Sequence, residues 1–344
     1  MSNQGLSDKK NINTGQEDEK FLDLALRPTN FNDYIGQDKV KRNLSILISA
    51  ASKRKDPLEH ILIHGPSGLG KTTLAYIISR QMGSSLRITS GATLEKAGDL
   101  GSILTGLNEG DFLFIDEVHR LNKLVEETLY PAMENYKLDI IIGKGNSAKT
   151  LQIQLPKFTL IAATTKISLL SSPFRSRFGV SYKLDFYNQS DIEKILTRSA
   201  QLLSIKTEPE ALKVIAAASR FTPRTANKLL KRARDYTQSE NKEVLTASLA
   251  SQTLDLLEID HIGLEATDKK ILSSIAKNFN GGPVGLKTIA ALIAEDENTI
   301  EDVYEPYLMQ IGFLARTTRG RVITQEGAKH IGIKLSKDMQ STLV

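Results

Sequence analysis

The residues with the clearest capacity for chemistry are Gly65-Pro66-Ser67-Gly68-Leu69-Gly70-Lys71-Thr72. Their spacing, G-x-x-x-x-G-K-[ST], is that of a loop that cradles phosphate. The glycines permit a tight turn that aims successive main-chain N–H groups at phosphate oxygens, at the start of a helix. Gly68, Leu69, Gly70, Lys71, Thr72 and Thr73 are the expected nucleotide contacts. Lys71 brings a mobile positive charge for the β- and γ-phosphates of ATP or ADP, and Thr72 a hydroxyl for Mg²⁺. A second pair follows downstream. Phe112-Leu113-Phe114-Ile115 is a continuous apolar run that ends in Asp116-Glu117. Carboxylates at the end of a buried strand, at this distance beyond the loop, suit phosphoryl transfer to water. Asp116 would sit beside the metal, and Glu117 would take or orient the proton of the attacking water.

These groups need a strand and a helix to position them. Ile61-Leu62-Ile63 reads as a buried strand before the loop, and Thr73 to Ile78 as a helix after it. Further strands are expected at 86–89, 112–116, 158–163 and 180–184, alternating with amphipathic helices, so residues 21–184 form an α/β domain on a parallel sheet. Residues 137–155 interrupt it as an inserted β-hairpin around a Gly-Lys-Gly-Asn turn. Leu151, Ile153 and Leu155 alternate along this hairpin. Such an apolar stripe either faces a partner protein or packs on its own domain.

From 185 to 257 strands give way to four helical stretches, at 189–204, 208–219, 222–236 and 246–257, two of them opened by Pro209 and Pro223. Residues 258–335 read as three helices followed by a basic hairpin, a winged helix with Arg316, Arg319 and Arg321 on its wing. Phosphate contacts from such a wing grip DNA without reading its bases. Residues 1–20 and 336–344 are polar or weakly patterned and read as tails.

Composition narrows the chemistry. The chain of 344 residues has no cysteine, which excludes disulfides, thiolate metal sites and a thiol nucleophile. No run of 18 apolar residues offers a membrane span, and the polar N-terminus lacks a secretory apolar core, so a cytoplasmic protein is expected. The net charge of +5 is a mild hint of a polyanionic partner. Clustering tells more: seven basic residues fall between Lys213 and Arg234, and three arginines between 316 and 321.

The whole pattern resembles the RuvB family of AAA+ motors, which drive Holliday-junction branch migration. The resemblance runs from about 21 to 335. It is carried by Leu26-Arg27-Pro28 with Tyr34-Ile35-Gly36-Gln37, by Asp116-Glu117-Val118-His119-Arg120-Leu121 and by Tyr130-Pro131-Ala132-Met133-Glu134-Asn135-Tyr136. Ser172-Pro173-Phe174-Arg175-Ser176-Arg177-Phe178-Gly179, Thr222-Pro223-Arg224, Gly281-Gly282-Pro283-Val284-Gly285-Leu286 and Arg316-Thr317-Thr318-Arg319-Gly320-Arg321 continue it.

The resemblance implies an α/β P-loop AAA+ ATPase domain, an all-α four-helix lid and a C-terminal winged helix. It implies Thr165 as the water-positioning sensor and Arg175 as an arginine finger for the neighbouring subunit. Arg177 would make a same-subunit contact, and Arg224 would be the lid's sensor. Leu26, Arg27, Tyr187 and the backbone of Glu134, Asn135 and Tyr136 would lie on the adenine side. It also implies a homo-oligomeric ring, most simply a hexamer, acting on the duplex arms of a junction in recombination, repair and the SOS response. RuvA would bind the hairpin, and RuvC would join the resolving complex. Thr165 stands where most AAA+ proteins have asparagine, Ala97 and Thr318 where proline is expected, and Asn135 where an acid is usual. Two other readings stay open: a clamp-loader subunit, which would carry a helical collar instead of a wing, and an ATP-switched DNA-binding regulator, which needs no arginine in trans.

Overall fold

A computed structural model describes residues 25–142 and 149–335. The two tails and the Gly143-Lys144-Gly145-Asn146 turn lie outside the described residues. The described residues divide into two compact units, those up to 65 with 69–185 and 201–204, and 66–68 with 186–200 and those from 205 on.

The first unit is built on a five-stranded sheet. Its elements are α1 (Asp38–Arg54), β1 (Ile61–His64), α2 (Lys71–Gln81), β2 (Leu86–Ser90), α3 (Ala97–Thr105), β3 (Phe112–Asp116) and α4 (Lys123–Asn135). They continue with β4 (Lys137–Ile142), β5 (Lys149–Gln154), β6 (Thr159–Thr164), the short α5 (Ser172–Arg175) and β7 (Val180–Lys183). The sheet order is β2-β3-β6-β1-β7, with every pairing parallel. Continuous apolar sequence in β1, β3 and β6 is what two covered faces require, and all but the last residues of β1 and β3 are buried. Phe112, Phe114, Phe158 and Phe174 are fully buried, each worth roughly 1.5–3 kcal/mol of transfer free energy. Helix starts are fixed by side chains: Asn122 accepts from the Val125 N–H, and Asp99 reaches back to the Lys96 N–H (2.9 Å).

His60, just before β1, marks the edge of the sheet where the parallel strands begin. Its Nε2–H donates to the Met133 carbonyl (3.0 Å) and its Nδ1 accepts from the Leu160 N–H (2.9 Å). Burial holds its pKa below the ordinary value, and both ring nitrogens are satisfied in the neutral form.

The second unit holds the four-helix lid: α6 (Gln189–Leu202), α7 (Pro209–Ala217), α8 (Pro223–Ser239) and α9 (Ala247–Leu256). Pro223 at the first helical position and the Thr222 hydroxyl, which accepts from Thr225 N–H (3.3 Å), start α8. The sequence predicts no strand here, yet β8 (Lys206–Thr207) and β9 (Val244–Leu245) pair in parallel. Two residues are too few to leave a periodicity.

The winged helix follows with α10 (Ala266–Asn278), α11 (Leu286–Ile293) and a third helix that runs from Glu297–Thr299 through a π-turn, Ile300–Tyr304, into Glu305–Gln310. The wing is β10 (Leu314–Thr317) with β11 (Gly320–Ile323), antiparallel, and a short helix Gln325–His330 closes it. Gly320 has φ of 140°, and a Cβ there would fall 2.4 Å from the Val284 carbonyl oxygen, so the wing turn admits only glycine.

Candidate nucleotide site and DNA-binding wing

The five parallel strands of the first unit's sheet end at one edge, and the groups for phosphate chemistry converge there. Gly70, with φ of 94°, starts α2 as a left-handed residue. The Tyr34 hydroxyl donates to the Leu69 carbonyl (3.3 Å), and a Cβ on Gly70 would meet that hydroxyl at 3.0 Å. Lys71 is 7% exposed and its ammonium donates to Gly65 O (2.8 Å), so its charge is held within the loop. Thr72 donates to the Asp116 carboxylate (3.4 Å), which brings a hydroxyl and a carboxylate from two different elements side by side. An all-oxygen pair of this kind suits a small hard dication whose remaining ligands are phosphate oxygens and water. Thr73 lies half-buried on the first turn of α2. His64, at the end of β1, has its pKa lowered by burial and by Lys183, which favours a neutral ring beside the loop.

Glu117 is the strained residue at this edge. Its backbone is left-handed, φ 45°, uncommon outside glycine and asparagine. Its carboxylate accepts from the Thr165 hydroxyl (2.9 Å) and the Thr165 N–H (3.2 Å), and His119 Nδ1 lies 3.2 Å from the same oxygen. His119 also meets the Thr164 hydroxyl (2.9 Å). Thr165 therefore holds Glu117 directly. Tyr34 and His119 appear in the sequence only within family-like segments, because side chains that steady a loop or a carboxylate leave no spacing signal.

Other expected contacts lie elsewhere on the same unit. Arg177 pairs with Glu134 (3.1 Å), and its guanidinium stacks 4.0 Å above the Tyr130 ring. Met133 touches His60, the Gly179 N–H donates to His60 O, and the Leu155 N–H donates to Tyr136 O. Glu134, Asn135, Tyr136 and Arg177 therefore stand where β1 begins, whereas Lys71 and Thr72 stand beyond where it ends. Four residues of strand separate the two edges by roughly 13 Å. The expected contacts at Arg177 and Glu134–Tyr136 are thus set apart from the loop that carries Lys71 and Thr72. Spacing along a chain does not report which edge of a sheet a helix end reaches. Arg175 is exposed at the end of α5, two residues before Arg177. Leu26 is buried and Arg27 half-buried on the segment leading to Tyr34.

The hairpin also differs from expectation. Leu155 is 4% exposed and joins the core of the first unit, Ile153 packs against that core, and only Leu151 is exposed. One face of a strand carries all three, but Ile153 and Leu155, nearest the hairpin's base, pack on the core and Leu151 does not.

In the second unit Tyr187 is buried and its N–H donates to Phe221 O (3.1 Å). Arg224, in the first turn of α8, donates to the Ser67 hydroxyl (3.0 Å); Ser67 and Gly68 group with this unit.

On the wing, Arg316 and Arg321 face each other across β10 and β11. Both are already engaged. Arg316 donates to Glu301 (2.6 Å) and Glu305 (2.8 Å), and Arg321 donates to both oxygens of Glu305. Glu305 is buried on the third helix, and the Glu301 hydrogen bond leads the causes that raise the Arg316 pKa. Arg319, at the exposed tip, pairs with no carboxylate among the described residues. The two glutamates were not foreseen, since they lie 11 to 20 positions upstream of their partners in a helix with no basic signature.

Comparison with known proteins agrees with this arrangement. Residues 26–184 match the model of the Holliday junction DNA helicase RuvB P-loop domain, 187–260 the RuvB AAA lid domain and 261–332 the RuvB C-terminal winged helix domain. The chain is similar to the structure of the RuvB Holliday junction branch migration motor of Thermotoga maritima, at 44% identity and TM-score 0.84, covering 91% of this chain and 100% of that one. A single-residue variant of the same bacterial protein aligns with 44% identity and TM-score 0.84 over 90% of this chain and 99% of its own. With a P-loop ATPase domain, lid and winged helix matched in order over nearly its whole length, this chain belongs to the RuvB family.

Proposed function

We propose that this chain is an ATP-driven DNA motor that moves duplex arms to migrate four-way junctions in recombination and repair. The observation that carries this reading is the separation of its nucleotide chemistry onto two edges of one sheet. Lys71, Thr72, Asp116, Glu117 and Thr165 stand at one edge, and we assign Arg175 to the other. A finger that acts in trans is useful only in a ring, where each subunit completes the next one's site. The same argument assigns Arg177 and Glu134–Tyr136 to the neighbour-facing side. The ring is a hexamer in this reading.

Lys71 leaves the Gly65 carbonyl for the γ-phosphate, and main-chain N–H groups of Gly68, Leu69, Gly70 and Thr73 hold the others. Thr72 and Asp116 would hold Mg²⁺, which would offset negative charge on the phosphates. Glu117, oriented by Thr165, accepts the proton of a water as its oxygen bonds to the γ-phosphorus and the bond to the β–γ bridging oxygen breaks, leaving ADP and phosphate. Arg175 of the adjoining subunit offsets charge on the transferring group. Arg224, Tyr187, Leu26 and Arg27 report the nucleotide state to the lid. Arg319, with Arg316 and Arg321 behind it, grips phosphates on any sequence.

In this reading the domains run 21–184, 185–257 and 258–335. RuvA docks on the hairpin at the exposed Leu151, with Ile153 and Leu155 anchoring it, and RuvC joins for resolution. The setting is the bacterial cytoplasm and the SOS response. Among the described residues no helix is long and apolar enough to cross a membrane, and no cluster of three or more His, Cys, Asp or Glu offers a metal cage. A clamp-loader reading is disfavoured by the wing, which stands where a helical collar would be. The test is migration of a synthetic four-way junction with ATP, with and without RuvA. Migration that needs ATP is expected, and junction binding without ATP-dependent migration would favour a regulator.

A further inference from the structure

Arg220 and Phe221, just before the cap of α8, both have φ of 54°. Two consecutive left-handed residues that are not glycine persist only where their surroundings hold them. Those surroundings are the winged helix. Arg220 is 8% exposed and donates in a fork to both oxygens of Asp268 (3.1 and 3.3 Å) and to the Val303 carbonyl (3.4 Å). Its guanidinium lies 4.5 Å from the Tyr307 ring centre. Phe221 packs on the winged-helix core with its ring 6.0 Å from that of Tyr307, whose hydroxyl bonds the Ile262 carbonyl. Alongside, Gly263 approaches so closely that a Cβ would fall 2.4 Å from Ala218 O.

The pair is desolvated. Asp268 is fully buried in the first turn of α10, and burial pushes its carboxyl up to about 6 while the Arg220 charge pulls it down. A buried ion pair adds little stability over an apolar contact of the same size, but its fork fixes orientation. Its position gives that orientation a use. On one side Phe221 O holds the Tyr187 N–H, and Arg224 follows four residues after Arg220, in the first turn of α8. On the other, the helix that offers Val303 and Tyr307 to Arg220 offers Glu301 and Glu305 to Arg316 and Arg321.

We propose that Arg220 is a positioning residue that locks the lid and the winged helix into one body, so that a change at the first turn of α8 is delivered to the wing. The proposal rests on the motor reading above. It adds the link between the lid's sensor and the DNA grip.

The test compares the parent chain with Arg220→Lys, which keeps the charge but not the fork, and with Arg220→Ala/Asp268→Ala, which leaves no charge buried alone. In the double variant, ATPase kcat, KM for ATP and duplex affinity should stay within about twofold, while junction migration per ATP falls about tenfold. Arg220→Lys should keep the ATPase and fall between the two in migration. The chain has no cysteine, so spin labels at Ser239→Cys and Lys277→Cys are unique. Their distance distribution should be narrow in the parent and broad in the double variant. Unchanged migration per ATP, ATPase and migration falling together, or an unbroadened distance would each overturn the proposal. Failure of the parent to migrate a junction would instead count against the motor reading, while the distance width tests the clamp by itself.

Discussion

The nucleotide edge and the wing both store charge on internal partners, but on different ones. At the nucleotide edge Lys71 rests on a carbonyl, and Glu117 on a hydroxyl and an N–H. The Gly65 carbonyl and Thr165 are neutral groups. On the wing Arg316 and Arg321 rest on Glu301 and Glu305, two charges against two. A DNA phosphate approaching Arg316 must compete with a carboxylate already in place. Arg319 faces no such competitor among the described residues. A chain that must hold ATP firmly and release DNA at every step has reason to treat the two anions differently. Counting arginines in the wing motif therefore overstates its grip, because the glutamates that offset them sit on another element.

The contrast can be broken at either end. The largest effect is expected from Glu117→Gln, which keeps the hydrogen-bond geometry to Thr165 but removes the base; ATP turnover should fall about 10³-fold with little change in nucleotide affinity. Retention of turnover would assign the base elsewhere. Next is Glu305→Gln. It leaves Arg321, whose side chain is only 13% exposed, without its buried counter-charge, and should destabilise the second unit by about 3 kcal/mol, read by denaturant unfolding. If stability is unchanged, the carboxylate does not organise the wing. Arg319→Ala should weaken duplex binding similarly on all sequences and lower the salt-dependence slope by about one phosphate contact. Loss confined to particular sequences would mean that the wing reads bases. The smallest effect belongs to Glu301→Gln. Because this exposed partner competes for Arg316, its removal should raise duplex affinity about twofold and steepen the salt dependence. A weaker or unchanged affinity would show that Glu301 does not oppose DNA.

How much of this was legible in the sequence followed from how local each signal is. The phosphate loop, the Asp116-Glu117 strand end and the order of domains are contiguous patterns, and the parallel sheet was readable from uninterrupted apolar runs such as Phe112–Ile115. Contacts between distant elements were not readable. Glu305 with Arg321 and Arg220 with Asp268 depend on how helices pack, which no spacing encodes. The placement of Arg177 at the far edge depends on α4 running against the strands. Leu155 illustrates the limit of periodicity: alternation put it on one face with Leu151, while its place at the hairpin's base decided that it is buried. The two-residue strands β8 and β9 and the closing helix Gln325–His330 are too short to stand out from their surroundings.

The central claim is that each nucleotide site is completed by the opposite edge of another subunit. The direct measurement is the ATPase of Arg175→Ala and Lys71→Ala proteins, alone and mixed in equal amounts. Each alone should be inactive. Random assembly of the mixture should place an intact loop against an intact finger at about one interface in four, and activity should reappear in that proportion. Parent-level turnover by Arg175→Ala alone, or a mixture no more active than its parts, would contradict the account.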